Sequence, residues 1–357
     1  MRFLHTADWH LGRILGNHSL LNDQAHVLDQ FVRLAGETKP DVIVIAGDLY
    51  DRAFPPADAV GLLSQTLTQL ARDFRIPVIA IGGNHDSQER LDFGTSFFRD
   101  TGLHLFGTVA SAGVVTVGDT HFAALPFAEP AAVRSAFPEY EGTDHSSALR
   151  FLLDRIRPAS GRTVAIAHAF VAGGAESDSE RTLSVGTAGQ VSPSVFEGCC
   201  YAALGHLHRP QTLGVARYSG SLLKYSTSEA AHCKTVSLVD LDAGSVEEIA
   251  LCPRRELRCV EGSFDDLLAG DASEDYLYFT LSDSGLIPDA ANRLRHRYPH
   301  LIGLAPRCSS GSGEPGEGPC AAVTPLEMFS SFWRYVEGEP SSEAHQKVVA
   351  GILERQV

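Results

Sequence analysis

The side chains in this sequence that could bind metal ions occur where five apolar segments end. In chain order they are Asp8 with His10, Asp48, Asn84 with His85, His168, and His206 with His208. Carboxylate, amide and neutral imidazole groups are the ligands that Mn²⁺, Fe²⁺, Zn²⁺ and Mg²⁺ take in proteins. Because the set contains no thiolate, it argues against a cysteine zinc site. The set is too large for one ion and suits two ions that share a carboxylate.

Two metal ions about 3.5–4 Å apart can stabilise both the attacking and the departing oxygen of a phosphoryl displacement. The pattern therefore predicts phosphoester chemistry. Taken singly, each residue has a simpler interpretation: Asp8 or Asp48 could cap a helix or a turn, and a lone histidine such as His5 is usually a hydrogen-bonded polar group. Capping does not explain why ligand-type residues follow all of these segments, and this joint occurrence favours the metal site.

Alternating strands and helices must position these residues in the first part of the chain. Short runs rich in apolar residues predict buried strands at 3–7, 41–46 and 77–81, each followed directly by a polar cluster. Apolar residues at helical spacing predict amphipathic helices at 21–38 and 57–74. The result is a βαβαβ unit with right-handed crossovers, in which ligands bind at the carboxyl ends of the strands.

The later strands make the sheets mixed, and a second module follows them. The sequence predicts a short helix at 90–99, a hairpin at 114–125, a helix at 146–156, strands at 163–167 and 201–204, a long loop at 173–189 and a hairpin at 235–251. From 253 to 306 the order is strand, helix, strand, helix, strand, which predicts a small α+β capping domain. The metal-binding domain then occupies 1–252.

Composition restricts the class of protein. The chain of 357 residues has 44% hydrophobic and 20% charged residues, as expected of a globular protein. Its net charge of −15 argues against a broad basic surface for nucleic acid, so such contacts must be local or assisted by a partner. The cysteines lack paired spacing, and the sequence shows neither a membrane-spanning run nor a signal peptide, which predicts a cytoplasmic location without membrane contact. Since there is no GxxxxGK loop, any ATP dependence must come from a partner.

The C-terminal part of the chain changes composition twice. Residues 307–323 are rich in Gly, Ser, Glu and Pro, which predicts a flexible linker. The tail, 324–357, regains helical spacing. Its apolar stripe contains Leu326, Phe329, Phe332 and Trp333. That stripe could pack on its own domain or bind a partner protein.

Several motifs resemble those of a known enzyme family. The set Asp8-x-His10, Gly47-Asp48-x-x-Asp51, Gly83-Asn84-His85-Asp86, His168 and Gly205-His206-x-His208 is similar to the calcineurin-like metallophosphoesterase signature. More closely, the chain resembles the SbcD family, the nuclease subunits of bacterial SbcCD complexes, in residues 5–12, 177–181, 203–211 and 218–221. The resemblance implies an α/β, calcineurin-like metallophosphoesterase fold of mixed sheets flanked by helices, with a small α+β capping domain and a helical C-terminal tail.

The resemblance also implies a role for each site residue. One metal would be bound by Asp8, His10, Asp48 and His208, and the other by Asp48, Asn84, His168 and His206, so that Asp48 bridges them. His85 would face the scissile phosphate, with Asp86 orienting it. The manganese dependence of the family implies two divalent ions, with Mn²⁺ ahead of Mg²⁺, Fe²⁺ and Zn²⁺. The role of Asp51 is left open.

The family further implies a substrate and partners. Its members are exonucleases on double-stranded DNA ends and endonucleases on single strands and hairpins, and they work as homodimers within a heterotetramer that contains the SbcC ATPase. The candidate DNA contacts in this chain are Arg13, Arg254, Arg255, Arg295 and Arg297, and a solvated basic face is the competing interpretation for the arginines of the cap. The apolar stripe of the tail is the candidate docking helix for SbcC. The rival functions are a phosphoesterase for nucleotides or small phosphoesters and a non-catalytic sensor of DNA ends.

Overall fold

The computed structural model describes residues 1–180, 189–283, 287–306, 329–330, 333 and 340–353. The chain forms two compact units, Met1–Arg307 and Cys308–Val357. The predicted metal-binding domain and the predicted capping domain both lie in the first unit.

The described elements follow one another along the chain in the predicted mixture of strands and helices. The strands are β1 (Arg2–Thr6), β2 (Ile14–Leu15), β3 (His18–Ser19), β4 (Val42–Ile45), β5 (Val78–Ile81), β6 (Leu103–Phe106), β7 (Gly113–Val117), β8 (Thr120–Leu125), β9 (Arg162–His168), β10 (Phe170–Val171), β11 (Gln190–Val191), β12 (Tyr201–Gly205), β13 (Gln211–Leu213), β14 (Ala216–Tyr218), β15 (Thr235–Asp240), β16 (Ser245–Ala250), β17 (Leu257–Gly262), β18 (Tyr276–Leu281) and β19 (Leu301–Pro306). The helices are α1 (Leu21–Thr38), α2 (Ala57–Leu67), α3 (Gln88–Leu91), α4 (Thr95–Phe98), α5 (Pro130–Ala136), α6 (His145–Ile156), α7 (Phe264–Ala269), α8 (Ala290–Arg295) and α9 (Glu343–Leu353).

Two six-stranded sheets form the centre of the first unit. Their strand orders are β16-β15-β1-β4-β5-β6 and β13-β14-β12-β9-β8-β7. In both sheets the inner strands pair in parallel. Antiparallel strands are added at one edge of the first sheet and at both edges of the second, so the prediction of mixed sheets is confirmed. Strands β4 and β5 are buried along their whole length, which explains why they consist almost entirely of Val and Ile.

The two sheets pack face to face around a shared apolar core. Phe3, Val44 and Ile79 of the first sheet lie in the same buried cluster as Phe122 and Ile166 of the second. Helices α1 and α2 cover the outer face of the first sheet, and α5 and α6 cover the outer face of the second. Because the strands carry apolar side chains on both faces, this four-layer arrangement is what buries them.

Most predicted elements are confirmed, and α1 has the predicted limits, but several details differ. The short elements β2, β3, β10, β11, β13, β14 and α5 were not predicted. The predicted helix 57–74 is α-helical only to Leu67 and continues as a π-helical turn, Thr68–Asp73. The predicted helix 90–99 is instead two short helices, because Gly94 between them has a φ of 71°, which ends a helix. Strand β6 was not predicted, because it is a short edge strand in which two residues are only partly buried.

The capping elements form a separate parallel sheet of three strands, β17-β18-β19, on which α7 and α8 pack. The predicted order of elements is confirmed. Leu257 and Tyr276 of this sheet belong to the core beneath α1 and α2. Asp23 of α1 fixes the joint, since its buried carboxylate accepts bonds from Arg255 (3.1 Å) and from the Tyr276 hydroxyl (2.9 Å). The cap is therefore anchored to the sandwich by both packing and charge.

The second unit contains α9 and part of the predicted stripe. The rings of Phe329 and Trp333 lie 5.7 Å apart, and the ring of Trp333 lies 4.2 Å from that of His345 in α9. Leu326 and Phe332 lie outside the described residues, as does the predicted linker 307–323. None of the helices in the described part of the chain has the length and hydropathy of a membrane span.

Candidate metal centre

The carboxyl ends of strands from both sheets meet at one edge of the sandwich. The predicted ligands follow β1, β4, β5, β9 and β12, or end them. Two main-chain N–H groups tie these ends together: that of His206 donates to Asp8 Oδ1 (2.9 Å), and that of Asp8 donates to the Gly47 carbonyl (3.1 Å). The first of these bonds joins residues 198 positions apart in the sequence, so the fold assembles the cluster that the motifs predicted.

Four of the site residues have a backbone conformation that residues other than glycine rarely adopt. The φ angles of Asp8, His10, Asp48 and His206 are 53°, 44°, 50° and 104°. Each such conformation costs about 1–3 kcal/mol and persists only where the surroundings enforce it. One enforcing contact is the bond from the His10 N–H to the Asp48 carbonyl, at 3.0 Å. The strained turns explain how several short loops can all direct side chains to one point.

Two glycines allow the ligand loops to approach each other. A Cβ atom on Gly83 would lie 2.1 Å from Oδ1 of Asp48, and one on Gly47 would lie 2.4 Å from Nδ1 of His168. Gly47 also has a φ of 94°, in the region that glycine alone enters easily. Any side chain at either position would therefore displace a ligand.

Asp8, His10 and His208 form the first candidate ligand group. Their ligand atoms lie within 4.8 Å of one another, and all three residues are buried. Nε2 of His10 lies 3.1 Å from Nε2 of His208. Asp8 Oδ2 and His10 Nδ1 are buried and have no hydrogen-bond partner among the described residues. A bound cation would satisfy such atoms, so these residues fit a divalent metal.

Asp8, Asp48 and His168 form the second group, whose ligand atoms also lie within 4.8 Å of one another. Asn84 adds to it, because its Oδ1 lies 2.8 Å from His168 Nε2 and 3.2 Å from His206 Nδ1. Oδ2 of Asp48 lies 3.4 Å from Nε2 of His168 and 3.4 Å from Nε2 of His10, one histidine from each group. Asp48 therefore has the position that a bridging ligand requires.

Burial and neighbouring charges set the protonation of these groups. Burial lowers the pKa of His10 and of His206 well below the usual value, so both are neutral, which is the form that binds metals. Burial alone would raise the pKa of Asp48, but His168 beside it holds that pKa well below its usual range. Burial also opposes the charge of His168, yet Asp48 outweighs it and raises the pKa of His168 to about 9. A divalent cation would take the place of the proton shared by this pair.

A buried relay fixes the ring of His208. Its Nδ1 lies 2.7 Å from the Ser179 hydroxyl, which donates its proton to Glu229. Since the hydroxyl has no second proton, it must accept from Nδ1–H of His208, which leaves Nε2 unprotonated toward the metal site. Burial works against the charge of Glu229, but His208 and the buried Lys234 hold its pKa below the usual range. This relay was not predicted from the sequence, where its one signal was the family-like motif at 177–181.

His85 lies beside the two ligand groups and is only partly buried. Its Nδ1 donates to the Asp51 carbonyl (2.8 Å), its N–H donates to Asp48 Oδ1 (2.9 Å), and its ring lies 4.7 Å from that of His10. With Nδ1 engaged, Nε2 is the nitrogen available to a substrate. The Asp51 carboxylate pairs with Arg13 at 2.8 Å. Asp51, whose role the sequence left open, thus holds both His85 and Arg13 in place.

Asp86 does not orient His85, and that prediction is wrong. The buried carboxylate of Asp86 accepts main-chain N–H bonds from Leu49 (3.1 Å), Tyr50 (2.9 Å) and Gly83 (2.9 Å). Burial and a neighbouring carboxylate raise its pKa to about 7, against the effect of these three N–H groups. Asp86 therefore joins the loop after β4 to the loop after β5.

Gln24 of α1 is a second residue that the sequence analysis missed. Its Nε2 donates to the carbonyls of Trp9 (3.1 Å) and His10 (2.7 Å), and its Oε1 accepts from the Gly12 N–H (3.0 Å). These bonds fix the loop after β1, which carries two ligands. The signal in the sequence was a glutamine on the apolar face of an amphipathic helix, where a buried amide needs partners.

The arginines predicted to contact DNA differ in their surroundings. Arg13 is at the metal centre, paired as described, and Arg255 is paired with Asp23 at the joint of the cap. Arg295 and Arg297 donate to Asn292 and to the Gly270 carbonyl within the cap, and Arg254 is exposed. Arg13 and Arg255 therefore have structural partners, and contact with DNA stays a prediction for all of these arginines.

Comparison with known protein families agrees with this geometry. Residues 1–129 match the calcineurin-like phosphoesterase family, and the matched segment includes Asp8, Asp48 and Asn84. The chain contains a calcineurin-like metallophosphoesterase domain. Residues 253–337 match a second family, SbcD_C, described as the type 5 capsule protein repressor C-terminal domain. This second match begins where the capping domain was predicted to begin.

Three solved structures that match about 70% of this chain have low sequence identity and low TM-scores. The protein TT1561 of Thermus thermophilus is 15% identical, with 70% of this chain and 98% of that chain covered and a TM-score of 0.42. A dimetal phosphatase from Danio rerio, LOC 393393, is 14% identical, with coverages of 72% and 97% and a TM-score of 0.41. YfcE, a phosphoesterase from E. coli, is 15% identical, with coverages of 71% and 100% and a TM-score of 0.30.

Proposed function

We propose that this chain is the nuclease subunit of an SbcCD-type complex and hydrolyses DNA phosphodiester bonds at two divalent metal ions. The observation that carries the proposal is the position of Asp48 Oδ2, 3.4 Å from a histidine nitrogen of each ligand group, with His85 beside it. The match of residues 253–337 to the SbcD_C family supports a nuclease over an enzyme for small phosphoesters, which would need no such module.

The residues of the site would have different roles in phosphodiester hydrolysis. Two bound metals would polarise the phosphoryl group and activate the attacking water. The protein supplies neutral imidazoles and the Asp48 carboxylate in fixed positions. His85, held through Nδ1–H by the Asp51 carbonyl, presents Nε2 to the phosphate, and in its imidazolium form it would carry a second proton on Nε2 that could pass to the leaving oxygen. General acid catalysis of this kind contributes about 10²–10⁴ in rate.

The proposal extends to substrates and partners. The substrates are double-stranded DNA ends, single strands and hairpins, in end processing, repair and recombination, and the favoured metal is Mn²⁺. An SbcC-type ATPase would supply much of the grip on DNA, because this chain has a net charge of −15. Phe329 and Trp333 of the second unit, whose rings lie 5.7 Å apart at a tilt, are the described part of the surface that would bind it.

A second copy of the chain would bind an apolar surface formed by α2 and α4. Phe93 and Phe97 are 83% and 81% exposed on this surface. Beside them, a groove of about 440 Å³ is lined by residues that include Val60, Leu63 and Leu67 of α2. In a two-fold dimer the same patch of each subunit must be complementary to itself. This surface has exposed phenylalanine rings beside an apolar groove that the rings of a second copy could fill. We therefore propose this surface for the homodimer contact.

Cleavage of DNA must be compared with cleavage of a small phosphodiester. We expect the Mn²⁺-loaded protein, with an SbcC-type partner and ATP, to cleave hairpin and duplex DNA far better than bis(p-nitrophenyl) phosphate. Asp48→Ala, which removes the bridge, serves as the inactive control. Hydrolysis of the small diester without DNA cleavage would instead support an enzyme for nucleotides or small phosphoesters, and DNA processing that survives Asp48→Ala would favour a non-catalytic sensor.

A further inference from the structure

We propose that Phe54, backed by Arg90, is a stacking platform for an unpaired nucleobase next to the scissile phosphate. The inference rests on the proposed nuclease function and concerns the part of the substrate that the metal centre does not touch. It names a binding subsite for the base, whereas the metal ligands and His85 would bind the phosphate.

Phe54 has a fixed position at the rim of the site. The Asp51 carbonyl accepts the bond from His85 Nδ1 at 2.8 Å, and Phe54 follows three residues later, within about 10 Å of chain from that bond. On the other side, Pro56 precedes α2 and packs so closely on Gly12 that a Cβ there would lie 2.9 Å from the Pro56 ring. Both ends of the short segment are held, so the ring of Phe54 does not depend on a long mobile loop.

The ring of Phe54 has one open face. The side chain is 71% exposed, although phenylalanine is usually buried. The guanidinium carbon of Arg90 lies over the ring, 4.0 Å from its centroid. Arg90 belongs to α3, which directly follows the loop that carries His85, so the pair connects the outer ends of two site loops. Because Arg90 covers one face, the exposed area is the other, and an open aromatic face beside a cation is where bases stack.

The charges around Phe54 favour nucleic acid over protein as the occupant. Arg52 and Arg90 are both exposed, and neither has an ion-pair partner among the described residues. This occurs in a chain with 44 acidic and 29 basic residues, where the nearby Arg13 is paired with a carboxylate. Unpaired arginines beside a phosphodiester site bind the backbone of the strand. Arg90 also lines the groove that is proposed above for the second copy of the chain, so a protein contact is the competing interpretation for this arginine.

A platform with one open face has a consequence for the kind of substrate. In a duplex each base is already stacked on both sides, so only a terminal, frayed, looped or single-stranded base can lie on Phe54. Stacking tolerates every base, because all bases have a π-face. The subsite would therefore favour DNA ends and hairpin loops without sequence preference.

Short single-stranded oligonucleotides test the inference with the Mn²⁺-loaded full chain. One series has a stable abasic residue moved along the strand one position at a time, and kcat/KM is measured for each member. For the wild type we expect one position at which loss of the base lowers kcat/KM about tenfold, the order expected for one stacked base. Phe54→Ala should flatten this positional profile, whereas Phe54→Trp should keep it. Phe74→Ala, which removes an exposed phenylalanine before the amino end of β5, should also keep it.

The outcomes separate the inference from the proposed function. Cleavage of the series by the wild type tests the nuclease, and the change of profile in Phe54→Ala tests the platform. A wild-type profile without a sensitive position, or a Phe54→Ala profile that stays as steep as that of the wild type, would overturn the platform while leaving the nuclease standing. If Phe54→Ala instead lowers kcat/KM equally for every oligonucleotide and changes the mass measured by light scattering, Phe54 is a subunit contact. That result would also overturn the platform.

Discussion

Nε2 of His10 and Nε2 of His208 face each other at 3.1 Å in the buried part of the site. The relay through Ser179 leaves Nε2 of His208 without a proton, and burial keeps His10 neutral. One shared proton could hold this pair together, but it would leave the second oxygen of Asp8 without a partner. A divalent cation would satisfy all three groups at once, which is why the metal interpretation is preferred to a purely hydrogen-bonded core.

Metal removal should destabilise the protein, and Asp48 should control both ions. We expect Mn²⁺ titrated into chelator-treated protein to saturate at about two ions per chain. Free Mn²⁺ at about 100 times its Kd should raise the free energy of unfolding by about 2.7 kcal/mol per site. Asp48→Asn should bind neither ion tightly. Elemental analysis and thermal unfolding measure the two effects, and His26→Gln on the exposed face of α1 is the control. Two tightly bound ions in Asp48→Asn would contradict the bridging role.

His85→Ala should separate catalysis from metal binding. His85 has ligand atoms within 4.8 Å of those of His10 and Asp51, but it belongs to neither of the two groups that contain Asp8, and its Nδ1 is bonded to the Asp51 carbonyl, so the variant should retain both ions. Loss of a positioned proton donor should lower kcat by about 10²–10⁴. Single-turnover cleavage of DNA with parallel metal analysis checks both statements. A variant that loses metal in proportion to activity would show that His85 is a ligand.

Glu229→Gln should weaken metal binding without contact between residue 229 and the metal. The change disturbs the acceptor of the Ser179 proton, so Nδ1 of His208 loses its fixed partner. Loss of such a supporting bond typically costs about 10–100-fold in metal affinity. Titration calorimetry measures the affinity, and ¹⁵N NMR of the imidazole reports the tautomer of His208. Glu248→Gln, at an exposed ion pair, is the matched control and should change neither quantity.

Two Gly→Ala changes should have opposite effects. In Gly83→Ala the new methyl would overlap Asp48, so the variant should lose metal and activity. Gly61 lies inside α2 with open space around it, and Gly61→Ala should stabilise the fold by about 0.5–1 kcal/mol. Denaturant unfolding and metal analysis on both variants provide the comparison. Normal metal content in Gly83→Ala would mean that the loops can separate without damage.

Phe97→Glu should produce a monomer. The charge would fall on the surface assigned to the homodimer, where a desolvated carboxylate has no partner. Sedimentation velocity of the wild type and the variant measures the mass. Val215→Glu places the same charge on an exposed residue between β13 and β14 and should leave the mass unchanged. A dimeric Phe97→Glu would place the subunit contact elsewhere.

The sequence allowed prediction of where the ligands lie but not of how they are held. Strand ends are visible because β4 and β5 are short runs of Val and Ile, and parallel strand ends meet in space. The bonds of Asp86 are invisible, because they go to main-chain groups 36 and 37 positions away. Because Asp86 is next to His85 in the sequence, it was predicted to orient the His85 ring. Its carboxylate instead accepts bonds from the main-chain N–H groups of the two loops.

The supporting contacts of His208 illustrate the same limit over a longer range. Ser179 is 29 positions from His208 and 50 from Glu229, and a serine or a glutamate in a polar segment gives no sign of burial. The left-handed conformations of Asp8 and His10 were equally hidden, because Asp and His enter this region more often than most residue types but still at only a small minority of positions. Local pattern predicts elements and their ends, whereas these features arise only when distant loops meet.

The carboxylate of Asp86 binds main-chain groups of Leu49 and Tyr50, which every residue type except proline provides. Residues 49 and 50 can therefore be exchanged within the limits of packing, while position 86 must keep a side chain that accepts from both N–H groups. In an alignment of relatives we expect an acid to be kept at position 86 while the residue types at positions 49 and 50 vary. The acid would invite a catalytic interpretation, although natural selection would be preserving the joint between two loops.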